Sequence, residues 1–145
     1  MKIPERIMID ADLFISYLTE DELTPKFSKV VERANRGEVK LLATSELYDD
    51  VISALRSQKI GLDKILDFLS DMRAIPHESI PVTIGIARKA LHLYSQHKGS
   101  RKLHYFDSFH VAAAGQQDLP LLTSDKYIIK HTTDLGIGVI NAREL

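Results

Sequence analysis

Short, fully apolar runs alternating with amphipathic helical segments constrain this chain's fold more than any other feature of its sequence. Arg6-Ile7-Met8-Ile9 is the first such run, and Leu13, Phe14, Tyr17 and Leu18 follow it at helical spacing. Thr24-Pro25 reads as a cap and an N1 proline ahead of a stripe of Phe27, Val30, Val31 and Ala34, with Gly37 as the stop. Val39 to Ala43 is a second strand, apolar except for Lys40, and Thr44-Ser45 offers caps for a helix carrying Leu47, Val51, Ala54 and Leu55. A helix over Asp63 to Met72 directs Ile65, Leu66, Leu69 and Met72 inward, and a short strand is expected between Arg73 and Ser79 despite Pro76. Pro81 opens a long helix with the stripe Ile84, Ala87, Leu91 and Tyr94. Phe106 to Gln116 is an alanine-rich helix, Pro120 to Thr123 a buried strand, Lys126 to Thr133 a helix, and Ile137 to Ile140 the last strand. The alternation predicts an α/β fold whose central, mostly parallel sheet of about four to five strands is covered by helices on both faces. A length of 145 residues without linker or repeat predicts one domain over 1–145.

Composition narrows the function classes. Lys plus Arg total 19 against 20 Asp plus Glu, so the overall charge announces no nucleic-acid or membrane surface. The absence of cysteine excludes disulfides, thiolate-held zinc or iron-sulfur centres and a thiol nucleophile. No apolar run approaches a membrane span, and Met1 to Arg6 leads into the first strand without a signal-peptide core, which predicts an unexported, cytoplasmic protein.

Open parallel sheets bind ligands beyond the carboxyl ends of their strands. At those positions this chain carries acids: Asp10 closes the first strand, Thr44 closes the second with Asp50 six residues on, and Asp125 follows Leu121-Leu122-Thr123. At about 100° per residue, Asp50 sits on the flank of the Leu47/Ala54 stripe while Asp49 faces away. Glu46, one turn earlier, is the second candidate at this motif, either on the rim of a site or favouring the helix N-terminus. Asp107 shares its helix face with Val111 and Ala114 and points inward.

Each acid alone has a structural explanation. Asp125 is a natural N-cap, Asp107 lies in a first turn where a negative charge suits the helix dipole, and Asp12 caps the first short helix. Capping does not account for two inward-facing acids and three acid-bearing strand ends together. Carboxylates so grouped repel unless a cation intervenes, and hard oxygen donors suit Mg²⁺ or Mn²⁺ rather than Zn²⁺. The six histidines show no helical i, i+4 metal pair and read as surface or core polar groups.

With these residues in place, the chain resembles the PIN-domain ribonuclease family, and within it the VapC-like toxins of toxin-antitoxin pairs. The likeness is carried by Ile9-Asp10-Ala11-Asp12-Leu13-Phe14, by Thr44 to Val51 with its acid six residues after the threonine, by Tyr105-Phe106-Asp107-Ser108, and by Leu122-Thr123-Ser124-Asp125. The resemblance implies a three-layer α/β/α sandwich in which Asp10, Asp50, Asp107 and Asp125 hold one or two divalent ions and catalyse RNA phosphodiester hydrolysis to a 5′-phosphate product. One ion would activate a water for in-line attack, and a second would stabilise the leaving 3′ oxygen. Two departures stand out: Asp50 replaces the usual glutamate, leaving Glu46 as an alternative ligand, and Asp12 replaces a small polar residue, adding charge to the site. The resemblance also implies a homodimer and a small antitoxin that places an arginine in the acidic pocket.

Thr44, Thr123 and Ser124 are candidates for positioning a water or phosphate oxygen, or are simply strand-ending and capping residues. Between Gln96 and Phe106 the chain carries Lys98, Arg101 and Lys102 and no acid, a segment that either guides an RNA backbone into the site or is an ordinary solvated loop. Lys126, just after Asp125, is a further rim candidate. Two other readings compete: a PIN-fold RNA- or protein-binding module with a weakened metal site, and a phosphatase built on Asp10-Ala11-Asp12, an enzyme type that also needs a later lysine and a pair of acids, of which only the lone Asp125 is available.

Overall fold

The structure, a computed structural model, describes residues 3–97 and 102–145. Strand β1 (Arg6–Ile9) leads into helices α1 (Asp12–Thr19) and α2 (Thr24–Asn35), then β2 (Lys40–Thr44), α3 (Leu47–Ser57), α4 (Leu62–Arg73) and β3 (Glu78–Ile80). The second half comprises α5 (Ile84–Gln96), α6 (Tyr105–Gln117), β4 (Leu121–Thr123), α7 (Lys126–Lys130), α8 (Thr132–Leu135), β5 (Val139–Asn141) and a 3₁₀ turn (Ala142–Glu144). The sheet order is β3-β2-β1-β4-β5, and all four pairings are parallel. Helices cover both faces, giving the expected three-layer α/β/α sandwich.

Strand alternation sorts the core into two sides. Ile7 and Ile9 of β1, Leu41 and Ala43 of β2 and Leu122 of β4 face the layer that holds Phe14, Phe27, Leu47, Leu55 and Met72 from α1 to α4. Met8, Leu42 and Leu121 face the layer holding Ile86, Leu93, Val111 to Ala114 and Ile128. From β1 the chain builds outward through β2 to β3, then returns to place β4 on β1's other side. The reversal between β1 and β4 is the topological switch point at which open α/β sheets bind ligands.

Several local expectations are corrected. Helix α5 starts at Ile84, capped by Thr83, whose hydroxyl accepts from Ile86 N, and not at Pro81. Its buried side is Ile86, Ala90 and Leu93, while Ile84 is 80% and Leu91 50% exposed. The segment carries two apolar stripes, and packing against α6 selects the second. In α4, Ile65 and Met72 are buried but Leu66 is 63% exposed. The helix expected from Lys126 to Thr133 is divided into α7 and α8 around His131. Neither Thr44 nor Ser45 caps α3: the Ser45 hydroxyl accepts from Val82 N, and Thr44 serves the acidic site instead.

Candidate metal centre

The carboxyl ends of β1 and β4 meet over the switch point, and the acids found there are tied to each other by short polar contacts. Asp10 is 4% exposed; its Oδ1 accepts from Ala11 N at 2.7 Å and its Oδ2 from the Thr123 hydroxyl at 2.7 Å. The same Thr123 oxygen accepts from Asp125 N at 3.0 Å, so one buried threonine sets two acids. Asp12 does not cap α1. Its Oδ2 reaches across to accept from Ser124 N at 2.6 Å and Ser124 Oγ at 2.5 Å, and its buried Oδ1 has no hydrogen-bond partner among the described residues. Asp125 caps α7 as expected, Oδ1 accepting from Ile128 N at 3.0 Å.

The other two acids arrive on helices. Asp50 comes from the first turn of α3, half-buried, with Asp49 exposed beside it. Asp107 comes from α6 and is 8% exposed, on a helix buried on nearly every side from Asp107 to Ala114, which its small alanines permit. Ligand atoms of Asp10, Asp50, Asp107 and His110 all lie within 4.8 Å of one another. A second group under the same limit contains His104, Asp107 and Asp125. The four acids named from the sequence are thus gathered at one place, with Asp107 shared between two donor groups. Glu46 sits at the N-cap of α3 and joins neither group among the described residues.

Electrostatics leave this arrangement unbalanced. Burial raises the Asp10 carboxyl, with the nearby Asp50 charge adding to it and His110 and Thr123 opposing. Burial, then repulsion from Asp10, holds both Asp12 and Asp107 well above the usual carboxylate range. Burial alone would lower the His110 imidazole, but its hydrogen bond to Asp50 and the charges of Asp10, Asp107 and Asp50 together raise it. Crowded carboxylates, an orphaned buried Asp12 oxygen and a predominantly oxygen donor set fit a divalent cation.

The acids open onto a cavity of about 760 Å³ whose rim also includes Lys102, His104, Lys126 and Arg143. Lys102, from the acid-free segment, therefore faces the same groove as the acids, with Lys126 beside it; Lys98 and Arg101 lie outside the described residues. Thr44 and Thr123 are fully buried with their hydroxyls committed to His110 and Asp10, so they act on the acids and not on the open groove. Ser124 reaches the groove, but its hydroxyl is spent on Asp12.

Two histidines were not singled out by the sequence. His110 is a core polar group, yet it stands inside the acidic cluster, with Nε2 2.9 Å from Asp50 Oδ2. His104 Nδ1 lies 3.2 Å from Asp107 Oδ2 and 3.7 Å from Asp125 Oδ2. The available signal was their spacing of three residues on either side of Asp107, which puts neighbours on one helical face.

The family model described as PIN domain matches residues 7–133. No curated protein matches the sequence. Among solved structures, VapBC2 from Rickettsia felis bound to a DNA fragment from its promoter aligns with a TM-score of 0.67 at 12% identity, over 94% of this chain and 98% of that one. FitAcB from Neisseria gonorrhoeae gives 0.64 at 12% identity, over 96% and 99%. VapBC-5 from Mycobacterium tuberculosis, of the VapBC family of toxin-antitoxin systems, gives 0.61 at 17% identity, over 95% and 99%. These likenesses are of fold.

Proposed function

The chain belongs to the PIN domain family, and on that premise we propose that it is a Mg²⁺- or Mn²⁺-dependent endoribonuclease, acting as a single domain and as the toxin of a cytoplasmic toxin-antitoxin pair. The observation that carries the reading is the meeting of Asp10, Asp50 and Asp107 within ligand distance of one another, with Asp125 joined through Asp107, at the switch point of a parallel sheet. These four acids would hold one or two ions. A divalent ion bound there supplies a water of lowered pKa and offsets negative charge on the scissile phosphate.

The chain's own residues do the rest. Thr123 holds Asp10 and the backbone of Asp125 in fixed relation, which keeps donors from two strands in register. Asp12 secures the β4 to α7 turn through Ser124, and Arg143 Nε donates to Ser124 O from the far side at 3.0 Å. Lys102 and Lys126 on the rim supply positive charge where an RNA backbone would enter an otherwise acidic cavity. None of these rim groups presents a pattern that reads bases.

The toxin assignment is supported by the fold shared with the VapBC and FitAcB proteins, of which VapBC-5 belongs to a family of toxin-antitoxin systems. A small antitoxin and a second copy of this chain are the proposed protein partners. No helix among the described residues is long and apolar enough to cross a membrane. Induced expression of the wild type beside Asp10→Asn in a bacterial host tests the reading: growth arrest with RNA fragments in the wild type alone supports it, and equal growth of both strains contradicts it. A binding module with a disabled centre is favoured instead if the purified protein takes up no divalent ion at millimolar concentration.

A further inference from the structure

Among the described residues, His110 is the one nitrogen donor in the cluster of Asp10, Asp50 and Asp107, and the fold holds it in place. Its ring is fully buried on α6; Nδ1 lies 3.0 Å from the buried Thr44 hydroxyl at the end of β2, and Nε2 faces the acids, 2.9 Å from Asp50 Oδ2 and 3.9 Å from Asp10 Oδ1. Histidines that hold a metal through one ring nitrogen almost always donate from the other to a fixed oxygen acceptor. Thr44 Oγ1 is placed as that acceptor, because a sheet strand anchors it and Nδ1–H can donate to it. The distances also suit an inner shell: around an ion with bonds of about 2.1 Å, adjacent donors stand about 3 Å apart and opposite ones about 4.2 Å.

We propose that His110 Nε2 is a direct ligand of the ion held by Asp10, Asp50 and Asp107, making this a mixed nitrogen and oxygen centre that prefers a first-row transition ion to Mg²⁺. The inference rests on the metal-dependent reading above and specifies its cofactor. Mg²⁺ is served by oxygen donors and gains little from an imidazole, whereas transition ions gain from one. Ligation replaces the Nε2 proton that Asp50 accepts in the metal-free protein; that proton leaves to solvent.

Pulsed electron paramagnetic resonance of the protein loaded with Mn²⁺ reads the inner shell without reference to activity. The expected result is a directly coordinated ¹⁴N coupling in the wild type, retained in His104→Gln and lost in His110→Gln, with the preference for Mn²⁺ over Mg²⁺ reduced severalfold in the latter. Thr44→Val, which leaves the ring and removes its anchor, weakens Mn²⁺ binding by about 10- to 100-fold. Because His110 is buried and its variant risks misfolding, the wild type and His104→Gln spectra decide on their own: coupling in both assigns the nitrogen to His110. Bound Mn²⁺ with oxygen ligands only, or a coupling lost in His104→Gln, overturns the inference while leaving the metal-dependent reading intact. No Mn²⁺ binding at all overturns both.

Discussion

Asp107 is the residue on which the site turns, since it belongs to both donor groups and burial and Asp10 together hold its carboxyl well above the usual range. Asp10 and Asp12 are raised too, and His110 is raised by the acids around it. The two kinds of shift act in the same direction on stability. A buried acid whose folded pKa exceeds its ordinary value of 3.8 destabilises the fold progressively as pH rises above that value and through the folded one. A histidine raised above 6.5 contributes in full below 6.5, and its contribution is lost as pH climbs through the folded value. Metal-free protein is therefore expected to lose thermal stability as pH rises above 3.8 and to go on losing it as pH passes 6.5. Saturating Mn²⁺ should flatten that slope, and Asp107→Asn should flatten it without metal while raising stability near neutral pH by about 0.5–2 kcal/mol; melting curves in chelator and in Mn²⁺ check both. Asp50 and Asp107 were legible as inward-facing because a single helix determines which side an acid takes. His110 was not legible as part of the site, because its partners Thr44 and Asp50 come from other elements and only tertiary packing brings them to it.

Helix α6 shows how small side chains place chemistry at the centre of a fold. Its run from Val111 to Ala114 is buried against strands and helix α5 alike, so Asp107 and His110 are carried inward on a helix that approaches the sheet closely. Helix α5 shows the limit of periodicity. Ile84, Ala87, Leu91 and Tyr94 form as regular a stripe as Ile86, Ala90 and Leu93, and nothing local distinguishes them. The cap at Thr83 and the surface of α6 make the choice. Leu93→Ala is accordingly expected to cost about 2–5 kcal/mol, and Leu91→Ser to stay within about 0.5 kcal/mol of wild type, measured by denaturant unfolding. Equal losses at the two positions would contradict the buried face seen here. Strands β1, β2 and β4 are more legible than the helices, because each is a short run with at most one charged residue, whereas β3 is Glu-Ser-Ile with no apolar run to mark it, and both β3 and β5 end later than their sequence suggests, where they pair with β2 and β4.

For the molecule as a whole, near-equal totals of 19 basic and 20 acidic residues conceal a concentration of buried acids in one groove. The strand order β3-β2-β1-β4-β5 draws the acids to one edge of a groove whose rim carries Lys102 and Lys126. If those lysines meet an RNA backbone, Lys102→Gln and Lys126→Gln should each weaken RNA binding about uniformly across sequences and reduce the slope of affinity against salt by about 1; filter binding over a range of salt concentrations measures it. The topology that sets this groove was foreseeable as a class from the alternation of strands and helices, while the switch point between β1 and β4 depends on strand order, which no local pattern encodes. The acids at this switch point are proposed to hold a divalent ion for RNA hydrolysis. The rate of RNA cleavage by purified protein in chelator and after Mn²⁺ is restored, wild type beside Asp10→Asn, tests this most directly. Cleavage that stops in chelator, returns with Mn²⁺ and is absent from the variant is the predicted result; cleavage that persists in chelator, or proceeds equally in the variant, would contradict it.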